Sequence, residues 1–577
     1  MQHHNKESRR QLLRVLFVFA VGTFALAAGD ARAANFTRGT APAKMFGTHE
    51  IVLTGNGSVT NPFNTIVRLT FVPPSGKSKT VQAFYDGGDT WRARVYITEV
   101  GRWRWSSASV DDSRLNNKSG SFTATRAELH GMLRKHRENP RQWMTDDGRW
   151  FVNLNDTPYL LFKKTETLWQ DYVKDIVAMG MTSVRAGALG GISWDKESTL
   201  TNWPWAADDK ERYDLEKFQT TDERLQWLLD NHPDVQVQMI LFGLAGGKDE
   251  PGKVWAALPP QVRTNTMRYM VARWAAYPQI FWLVVNDMFS ESGENQEFAR
   301  QVGRYFAMND PWGHLLSAGV NRTRRTPNTP FPFITPDDFK WVNYIHLETA
   351  YDLAADQLHR FADIPLHVFC GEDYYEQEYR AGLRPLNPRY FYRRLFWSWL
   401  LAGGSPNYGS RWRSIHPYKQ TGRIPEPNVS TQQGIPGDPN VNGQLVGLDS
   451  VPYIKSFFDN RKIELWRFTP DDRAASDMAG SAPENRPKVM RKGTAEYLIY
   501  HPNAKSGGRD AALDSDRTAR CQVDLSPALK TRFVVEWFRV HDGVSAKGGT
   551  IQGGAKREFI APWPGQDVVL YLKAAQQ

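Results

Sequence analysis

Short apolar runs alternate with longer segments of helical periodicity between residues 140 and 410. Such alternation is typical of βα units, in which crossover helices join parallel strands. The candidate strands are PYLLFKK (158–164), TSVRAGA (182–188), VQVQMILFG (235–243), IFWLVVND (280–287), HLLSAGV (314–320), WVNYIHLE (341–348), PLHVFCGE (365–372) and GSPNYGS (404–410). The helical patterns include LWQDYVKDIVAMG (168–180), DERLQWLLDN (222–231), PQVRTNTMRYMVARWAAY (260–277), ENQEFARQVGRYFAM (294–308) and RYFYRRLFWSWLLAG (389–403).

Eight strands with helical crossovers predict a (β/α)8 TIM barrel over residues 140–485. An open doubly wound sheet would alternate in the same way. No glycine-rich phosphate loop follows the first strand, however, and eight parallel strands favour closure. Residues 411–450 are rich in Pro, Gly and Asn, which predicts a long loop over the barrel.

The segments on either side of the barrel have a strand pattern. Residues 36–130 alternate apolar and polar positions between Gly, Pro and Asp breaks, and residues 490–577 contain runs such as RFVVEWFRV (532–540). Both predict antiparallel β-sandwiches. The expected fold class is therefore multidomain, with a central TIM barrel flanked by an N-terminal and a C-terminal β-sandwich.

Residues 1–33 have the order of an export signal. A basic head precedes an apolar run of 15 residues (15–29) and then Ala31-Arg32-Ala33. The run is shorter than the roughly 20 residues that a membrane span needs. Ser8-Arg9-Arg10 also resembles a twin-arginine signal, with an ordinary secretory signal as the alternative. We expect an exported protein, periplasmic or secreted, without stable membrane insertion.

The net charge of +10 is interpreted as a solvated surface of mixed charge, and we expect no nucleic-acid partner. Residues 1–33 contribute five Lys+Arg and two Asp+Glu, hence +3, so the other residues carry +7 with basic and acidic side chains interleaved. The two cysteines lie in separate blocks of the sequence, so we expect no disulfide between them. No spacing of His, Asp and Glu indicates a metal site. No cofactor is expected.

Two carboxylates follow apolar strands at the end where TIM barrels carry their chemistry. Asp287 ends the fourth candidate strand and Glu372 ends the seventh. These strands lie on opposite sides of a barrel, so both side chains can point into one cleft. A retaining glycosidase needs two carboxyl groups about 5–5.5 Å apart, one protonated and one ionised. The pair therefore favours glycoside hydrolysis, while structural capping remains the alternative for each residue alone.

The sequence resembles the apiosidase-like glycoside hydrolases of the large (β/α)8 retaining clan. The resemblance covers most of residues 140–475 and depends on FKKTETLW (162–169), YPQIFWLVVNDMF (277–289), PLHVFCGEDYYE (365–376) and FWSWLLAGGSPNYGSRW (396–412). It implies an acid/base Asp at 287 and a nucleophile Glu at 372. The family usually has Gly-Gly-Asp where this chain has Val285-Asn286-Asp287. The Asn of this chain is closer to the wider clan, in which an Asn at this place binds the sugar, and the resemblance implies that role for Asn286.

The flanking segments also resemble companions of this family. GDTWRARVYITEVGRWRW (88–105) is similar to an N-terminal immunoglobulin-like module, and residues 495–572 are similar to a C-terminal putative collagen-binding module. The resemblance implies a polysaccharide or oligosaccharide substrate. The alternative is a non-catalytic carbohydrate-binding or matrix-adhesion protein on a glycosidase-like barrel.

Further candidates for substrate binding lie on or after strand ends. Aromatic side chains there suit stacking on sugar rings or packing on each other: Trp169, Tyr374, Tyr408 and Trp412. His346 is a candidate to bond the nucleophile or a hydroxyl, or to be a structural histidine. Arg185 is a candidate to orient Glu372, to bind an acidic sugar, or to form a structural ion pair. Glu291 and Glu348 are reserve catalysts, and Glu376 is interpreted as an exposed loop charge.

Overall fold

The computed structural model describes residues 43–57, 59–190, 203–206, 208–242, 251–286, 288, 292–319, 331–348, 358, 360–377, 384–411, 415, 417–419, 444–480 and 482–575. The predicted export signal, residues 1–33, lies outside these ranges. Across the described ranges, no helix combines the length and the apolar character that a membrane crossing requires.

The N-terminal region consists of two small sheets around a shared apolar cluster. Its strands are β1 (Ala43–Lys44), β2 (Thr48–Thr54), β3 (Val67–Val72), β4 (Lys79–Gln82), β5 (Phe84–Tyr85), β6 (Thr90–Tyr96), β7 (Gly101–Ser109) and β8 (Ser119–Thr125). One sheet has the order β1-β8-β7-β3-β4 and the other β2-β6-β5. Every second residue of β3 is buried, and apolar side chains of both sheets meet in one cluster. The predicted strand-rich N-terminal region is confirmed.

The central region alternates strands and helices. After the short strands β9 (Leu133–Lys135), β10 (Trp143–Thr145) and β11 (Trp150–Phe151) come β12 (Asn155–Asp156), β13 (Ser183–Gly187), β14 (Gln236–Phe242), β15 (Ile280–Val285), β16 (Leu316–Ser317), β17 (Tyr344–Glu348), β18 (His367–Glu372), β19 (Tyr375–Gln377) and β20 (Asn407–Arg411). The helices are α1 (Trp169–Ala178), α2 (Leu215–Asn231), α3 (Pro251–Ala256), α4 (Pro260–Trp274), α5 (Gly293–Asn309), α6 (Pro388–Leu401) and α7 (Pro452–Arg461).

The central strands are parallel. Seven form a sheet in the order β16-β15-β14-β13-β12-β20-β19, and β17 pairs with β18. Backbone hydrogen bonds join this pair to its neighbours on both sides. Asn343 N donates to Leu316 O in β16 (2.8 Å), and Ser405 N, ahead of β20, donates to Val368 O in β18 (3.0 Å).

One indole closes the amino-terminal end of these strands. Trp143 of β10 lies 5.4 Å from the ring of Phe281 in β15, 5.5 Å from Tyr344 in β17 and 6.4 Å from Phe369 in β18, centroid to centroid. Side chains from β15, β17 and β18 therefore converge on a single buried group. Because this group packs at the amino-terminal ends, it does not cover the carboxyl ends of the strands.

The predicted first strand, residues 158–164, is wrong. Leu161 N donates to Pro158 O (2.9 Å) and Lys163 N to Leu160 O (2.8 Å), so the segment forms turns. The strand is the preceding Asn155–Asp156 instead. Its polar residues are buried with side-chain hydrogen bonds, for example from Asn155 Nδ2 to Asn407 Oδ1 (2.5 Å), which hydrophobic periodicity does not reveal.

The C-terminal region is again rich in strands. They are β21 (Thr469–Pro470), β22 (Ala475–Asp477), β23 (Lys488–Lys492), β24 (Glu496–His501), β25 (Ala504–Ser506), β26 (Ala512–Leu513), β27 (Thr518–Asp524), β28 (Arg532–Arg539), β29 (Val544–Gln552), β30 (Lys556–Pro564) and β31 (Val568–Ala574). The sheets β21-β23-β24-β31-β28-β29 and β22-β27-β30 share an apolar cluster. Arg393 of α6 attaches this region to the central one, because its Nε and Nη2 both donate to Asp567 (2.8 Å each).

A buried ionic cluster joins the N-terminal sheets to α2 and α4. Its members are Glu50, Asp86, Arg92, Arg94, Asp222 and Arg273. Arg94 donates to Asp222 (2.7 Å) and Glu50 (2.8 Å), and Arg273 donates to Asp222 (2.9 Å) and Asp86 (2.7 Å). Three carboxylates thus balance three guanidinium groups.

The guanidinium groups control the charge state of this cluster. Burial by itself would raise the pKa of Glu50 and of Asp86. Arg94 and Arg92 outweigh this effect at Glu50, and Arg273 and Arg92 do so at Asp86, so both pKa values lie below their ordinary range. The carboxylates therefore stay ionised in spite of their burial.

Replacing Asp222 by Asn tests the ionic cluster. Asp222→Asn removes one of three buried negative charges and leaves Arg94 and Arg273 without full compensation. We expect the free energy of unfolding to fall by about 3–5 kcal/mol, as when one partner of a buried pair is lost. Denaturant unfolding followed by tryptophan fluorescence measures it. The control is Asp209→Asn, which breaks an exposed pair with Arg212. A loss of free energy of unfolding in this control as large as that in Asp222→Asn would contradict the interpretation.

Candidate active site

Glu372 lies at the carboxyl end of β18 and is held by two polar side chains. Tyr159 Oη donates to Glu372 Oε2, and Arg185 Nη1 donates to the same oxygen (3.1 Å). Arg185 Nη1 also donates to Tyr159 Oη (2.8 Å) and to Gly371 O (2.9 Å). One guanidinium nitrogen therefore fixes the carboxylate, the tyrosine and the backbone beside it.

The other end of Arg185 reaches two further strand ends. Its Nη2 donates to Asn286 Oδ1, directly after β15, and to Glu348 Oε1 at the end of β17 (2.8 Å). Arg185 itself belongs to β13 and is fully buried. A single guanidinium thus links the carboxyl ends of β13, β15, β17 and β18, with its charge facing two carboxylates.

An irregularity in the β17–β18 pairing places Glu348 beside Glu372. Leu347 pairs with Cys370, but the next residue, Glu348, pairs with Glu372 and not with Gly371. This extra residue is the mark of a β-bulge. The bulge brings the two carboxylate residues opposite each other on adjacent strands.

Gly371 gives the bulge the space it needs. A Cβ at this position would lie 1.8 Å from Cε1 of His346, so only glycine allows the imidazole to pack there. His346 Nε2 lies 3.3 Å from Glu348 Oε1, and its Nδ1 lies 3.0 Å from Gln238 Nε2. Burial lowers the pKa of His346 to about 4. The ring is therefore neutral at physiological pH, with Nδ1 accepting from Gln238 and Nε2 donating to Glu348.

The charge on Glu372 is set by opposing effects. Burial raises its pKa above the ordinary value, and the carboxylate of Glu348 raises it further. Arg185 and the hydroxyl of Tyr159 act in the opposite direction. The side chain of Glu372 is 16% exposed and that of Glu348 is 5% exposed, so Glu372 is the more accessible of the two carboxylates.

Four of the predicted site residues meet in this cluster, and three others have packing contacts. Glu372, Arg185, Asn286 and His346 belong to the cluster described above. The ring of Trp169 packs on Trp227 (4.8 Å), that of Tyr374 on Phe391 (5.7 Å) and that of Tyr408 on Tyr392 (4.6 Å). The residues Asp287 and Trp412, which the sequence also singled out, lie outside the described residues.

Three residues near these strand ends were missed by sequence reasoning. The apolar pattern predicts a strand around Tyr159, and no sequence pattern distinguishes Gln238 within β14. The sequence predicts an exposed charge at Glu376, but this residue is buried on β19, where it accepts from Val446 N (2.7 Å) and Gly447 N (2.8 Å). Burial raises the pKa of Glu376 to about 7. Strand-forming neighbours around Glu376 were the signal that could have shown its burial.

Two family models match the chain. The model described as the apiosidase-like catalytic domain matches residues 137–463, more than half of the chain. A model of a domain of unknown function, DUF5060, matches residues 42–110. No curated protein matches the chain.

Two solved structures that the chain resembles carry the name glycoside hydrolase. A putative glycoside hydrolase from Bacteroides vulgatus is 18% identical with a TM-score of 0.65, and the match covers 92% of this chain and 100% of that one. A glycoside hydrolase family 5 protein from the same organism is 15% identical with a TM-score of 0.57, over 77% of this chain and 94% of that one. At these identities the similarity concerns the fold.

Adding a methyl group at Gly371 tests the packing behind the strand ends. Gly371→Ala forces its Cβ into the ring of His346, and we expect a loss of about 1–3 kcal/mol in the free energy of unfolding, as for other overpacked sites. Denaturant unfolding measures the change. In the matched variant Gly293→Ala, a Cβ meets nothing within 4 Å. Equal stability of the two variants would contradict the close packing of His346 on β18.

Proposed function

The chain belongs to the apiosidase-like family, and from this premise we propose that it is a retaining glycoside hydrolase. It cleaves O-glycosidic bonds in a plant or microbial polysaccharide by a two-carboxylate mechanism. Glu372 is the nucleophile and Asp287 the acid/base. The family and the glycoside hydrolase fold support carbohydrate as the substrate class.

The proposal includes closure of the central strands into a (β/α)8 barrel. Three observations support it: the strands are parallel, β17–β18 is hydrogen-bonded towards β16 and β20, and Trp143 contacts side chains of β15, β17 and β18. In a closed barrel, β15 is the fourth strand and β18 the seventh. Their carboxyl ends then face the same cleft, where TIM-barrel enzymes carry their reactive groups.

The observation that carries the catalytic assignment is the span of Arg185. It contacts Glu372 directly and Asn286, the residue before Asp287. The amide oxygen of Asn286 and the carboxylate of Glu372 are therefore separated by the width of one guanidinium group. This spacing suits a pair of carboxyl groups about 5–5.5 Å apart, as retention of configuration requires.

The chemistry follows from the two carboxyl groups. An oxygen of ionised Glu372 bonds to the anomeric carbon while the bond to the leaving oxygen breaks, and that oxygen takes the bonding pair and a proton from Asp287. Water then attacks the anomeric carbon, gives a proton to Asp287 and releases the Glu372 carboxylate. Arg185 and Asn286 lie beside the nucleophile and His346 contacts Glu348 behind it, while Trp412 and the 411–450 loop are proposed to shape the outer cleft.

We also propose the organisation and destination predicted from the sequence. Residues 1–33 direct export to the periplasm or the medium, residues 36–130 form an immunoglobulin-like module, and residues 490–577 form an accessory sandwich. The match of residues 42–110 to a separate family model and the two apolar clusters of the flanking sheets support independent modules around a catalytic core.

Hydrolysis by wild type, Asp287→Asn and Glu372→Gln tests the proposal. Aryl glycosides and plant and bacterial polysaccharides are the substrates, and proton NMR of the first product gives the anomeric configuration. We expect retention by wild type and a loss of about 10³-fold or more in kcat for both variants. Circular dichroism and melting curves of each variant serve as the folding control.

Three results would contradict the proposal. Inversion would exclude the double-displacement mechanism, and full activity in either variant would remove the role assigned to that residue. Saccharide binding without turnover on every substrate would favour a carbohydrate-binding protein with a glycosidase fold.

A further inference from the structure

The carboxylate of Glu348 has no assigned role in the two-carboxylate mechanism, yet it shares the guanidinium of Arg185 with the nucleophile. Arg185 Nη2 donates to Glu348 Oε1 (2.8 Å) while Nη1 donates to Glu372 Oε2 (3.1 Å). Two carboxylates therefore divide one buried positive charge. Removing either carboxylate therefore makes the net charge beside the other one more positive.

The position of Glu348 does not suit an acid/base. It lies opposite Glu372 on the adjacent strand, where side chains stand next to each other, whereas the acid/base must reach the sugar from across the cleft. Its side chain is 5% exposed, and Oε1 is engaged by Arg185 and by His346. Glu348 therefore acts on the nucleophile from behind.

Two glycines keep Glu348 close to the reacting strands. A Cβ at Gly319, after β16, would lie 2.8 Å from Glu348 Oε1, and a Cβ at Gly371 would displace His346. The small residues on β16 and β18 thus leave space for the carboxylate on one side and for its imidazole partner on the other.

We propose that Glu348 is a positioning residue that keeps Arg185 oriented and charge-compensated while Glu372 is bonded to the sugar. This inference rests on the proposed function of Glu372 as nucleophile. When the Glu372 oxygen bonds to the anomeric carbon and the leaving oxygen departs with the bonding pair, Glu372 becomes a neutral ester. Arg185 then retains Glu348 as its counter-charge, so a guanidinium that is fully buried is not left unpaired in the covalent state.

The pH dependence of activity reports on this arrangement. The groups that face Glu372 are Arg185 from β13, Tyr159 after β12, Glu348 from β17 and Tyr375 from β19, while His346 of β17 contacts Glu348. Among these, Arg185 carries positive charge and Glu348 negative charge, with His346 neutral. Without the negative charge of Glu348, the positive charge of Arg185 is no longer offset. Glu372 then loses its proton at lower pH.

Glu348→Gln tests the proposal, because it keeps the shape and removes the charge. We expect kcat/KM to fall by about 10- to 100-fold, since bonding of Glu372 now leaves Arg185 uncompensated. The acid limb of the kcat/KM profile moves to lower pH by about one unit. Glu348→Asp, which retains the charge, restores the wild-type acid limb.

The control is Glu536→Gln, which removes the charge of a partly exposed glutamate on β28 that accepts from Arg461 of α7 (3.1 Å), and which leaves the acid limb in place. A purely structural role for Glu348 would lower the melting temperature without moving the acid limb, and this result would overturn the inference. Unchanged kcat/KM and pH profile in Glu348→Gln would overturn it as well.

A second readout needs no substrate and separates this inference from the proposed function. Infrared titration of protein with isotope-labelled glutamate follows the carboxyl band that Glu372→Gln removes. In Glu348→Gln we expect this band to titrate at lower pH than in wild type, even if no hydrolysis is found. A band that titrates at the same or a higher pH would refute the effect of Glu348 on Glu372.

Discussion

The buried guanidinium of Arg185 is the contact on which the site depends. It lies on β13 and reaches the strand ends that carry Asn286, Glu348 and Glu372. An arginine with no exposure is tolerated only when carboxylates and carbonyl oxygens surround it, so these groups must converge for the fold to be stable. The same convergence places two carboxylates side by side at one end of a parallel sheet, where burial and the charge of Glu348 raise the pKa of Glu372, and perturbed pKa values of this kind are typical of acid/base and nucleophilic chemistry.

Buried charges also connect the three parts of the chain. The cluster around Asp222 and Arg273 joins the N-terminal sheets to the central helices, and Arg393 with Asp567 joins the C-terminal sheets to α6. Directional ion pairs of this kind specify one arrangement of neighbouring layers better than apolar contact does. The flanking regions therefore brace the central helices, which in turn hold the strands whose ends carry the site.

The sequence predicted those strands whose burial is reflected in a simple hydrophobic pattern. Apolar runs located the strands β13 to β15 and β17 to β18 within a few residues, because strands buried on both faces are continuously apolar. It failed at β12, whose Asn155 and Asp156 are buried with hydrogen bonds to the polar side chains of Asn407 and Tyr172. It also failed at Glu376, because its burial depends on amides of residues 446 and 447, far away in the sequence. The position of Glu372 followed from the pattern, but its bond to Arg185 required the strand register.

In the proposed mechanism, Glu372 is the group that bonds to the sugar while Arg185 and Glu348 hold it in place. The most direct measurement is covalent trapping with a 2-deoxy-2-fluoro derivative of the preferred sugar, followed by peptide mapping by mass spectrometry. We expect one added glycosyl group, located on Glu372, and none in Glu372→Gln. A glycosyl group on Glu348 or another carboxylate would contradict it.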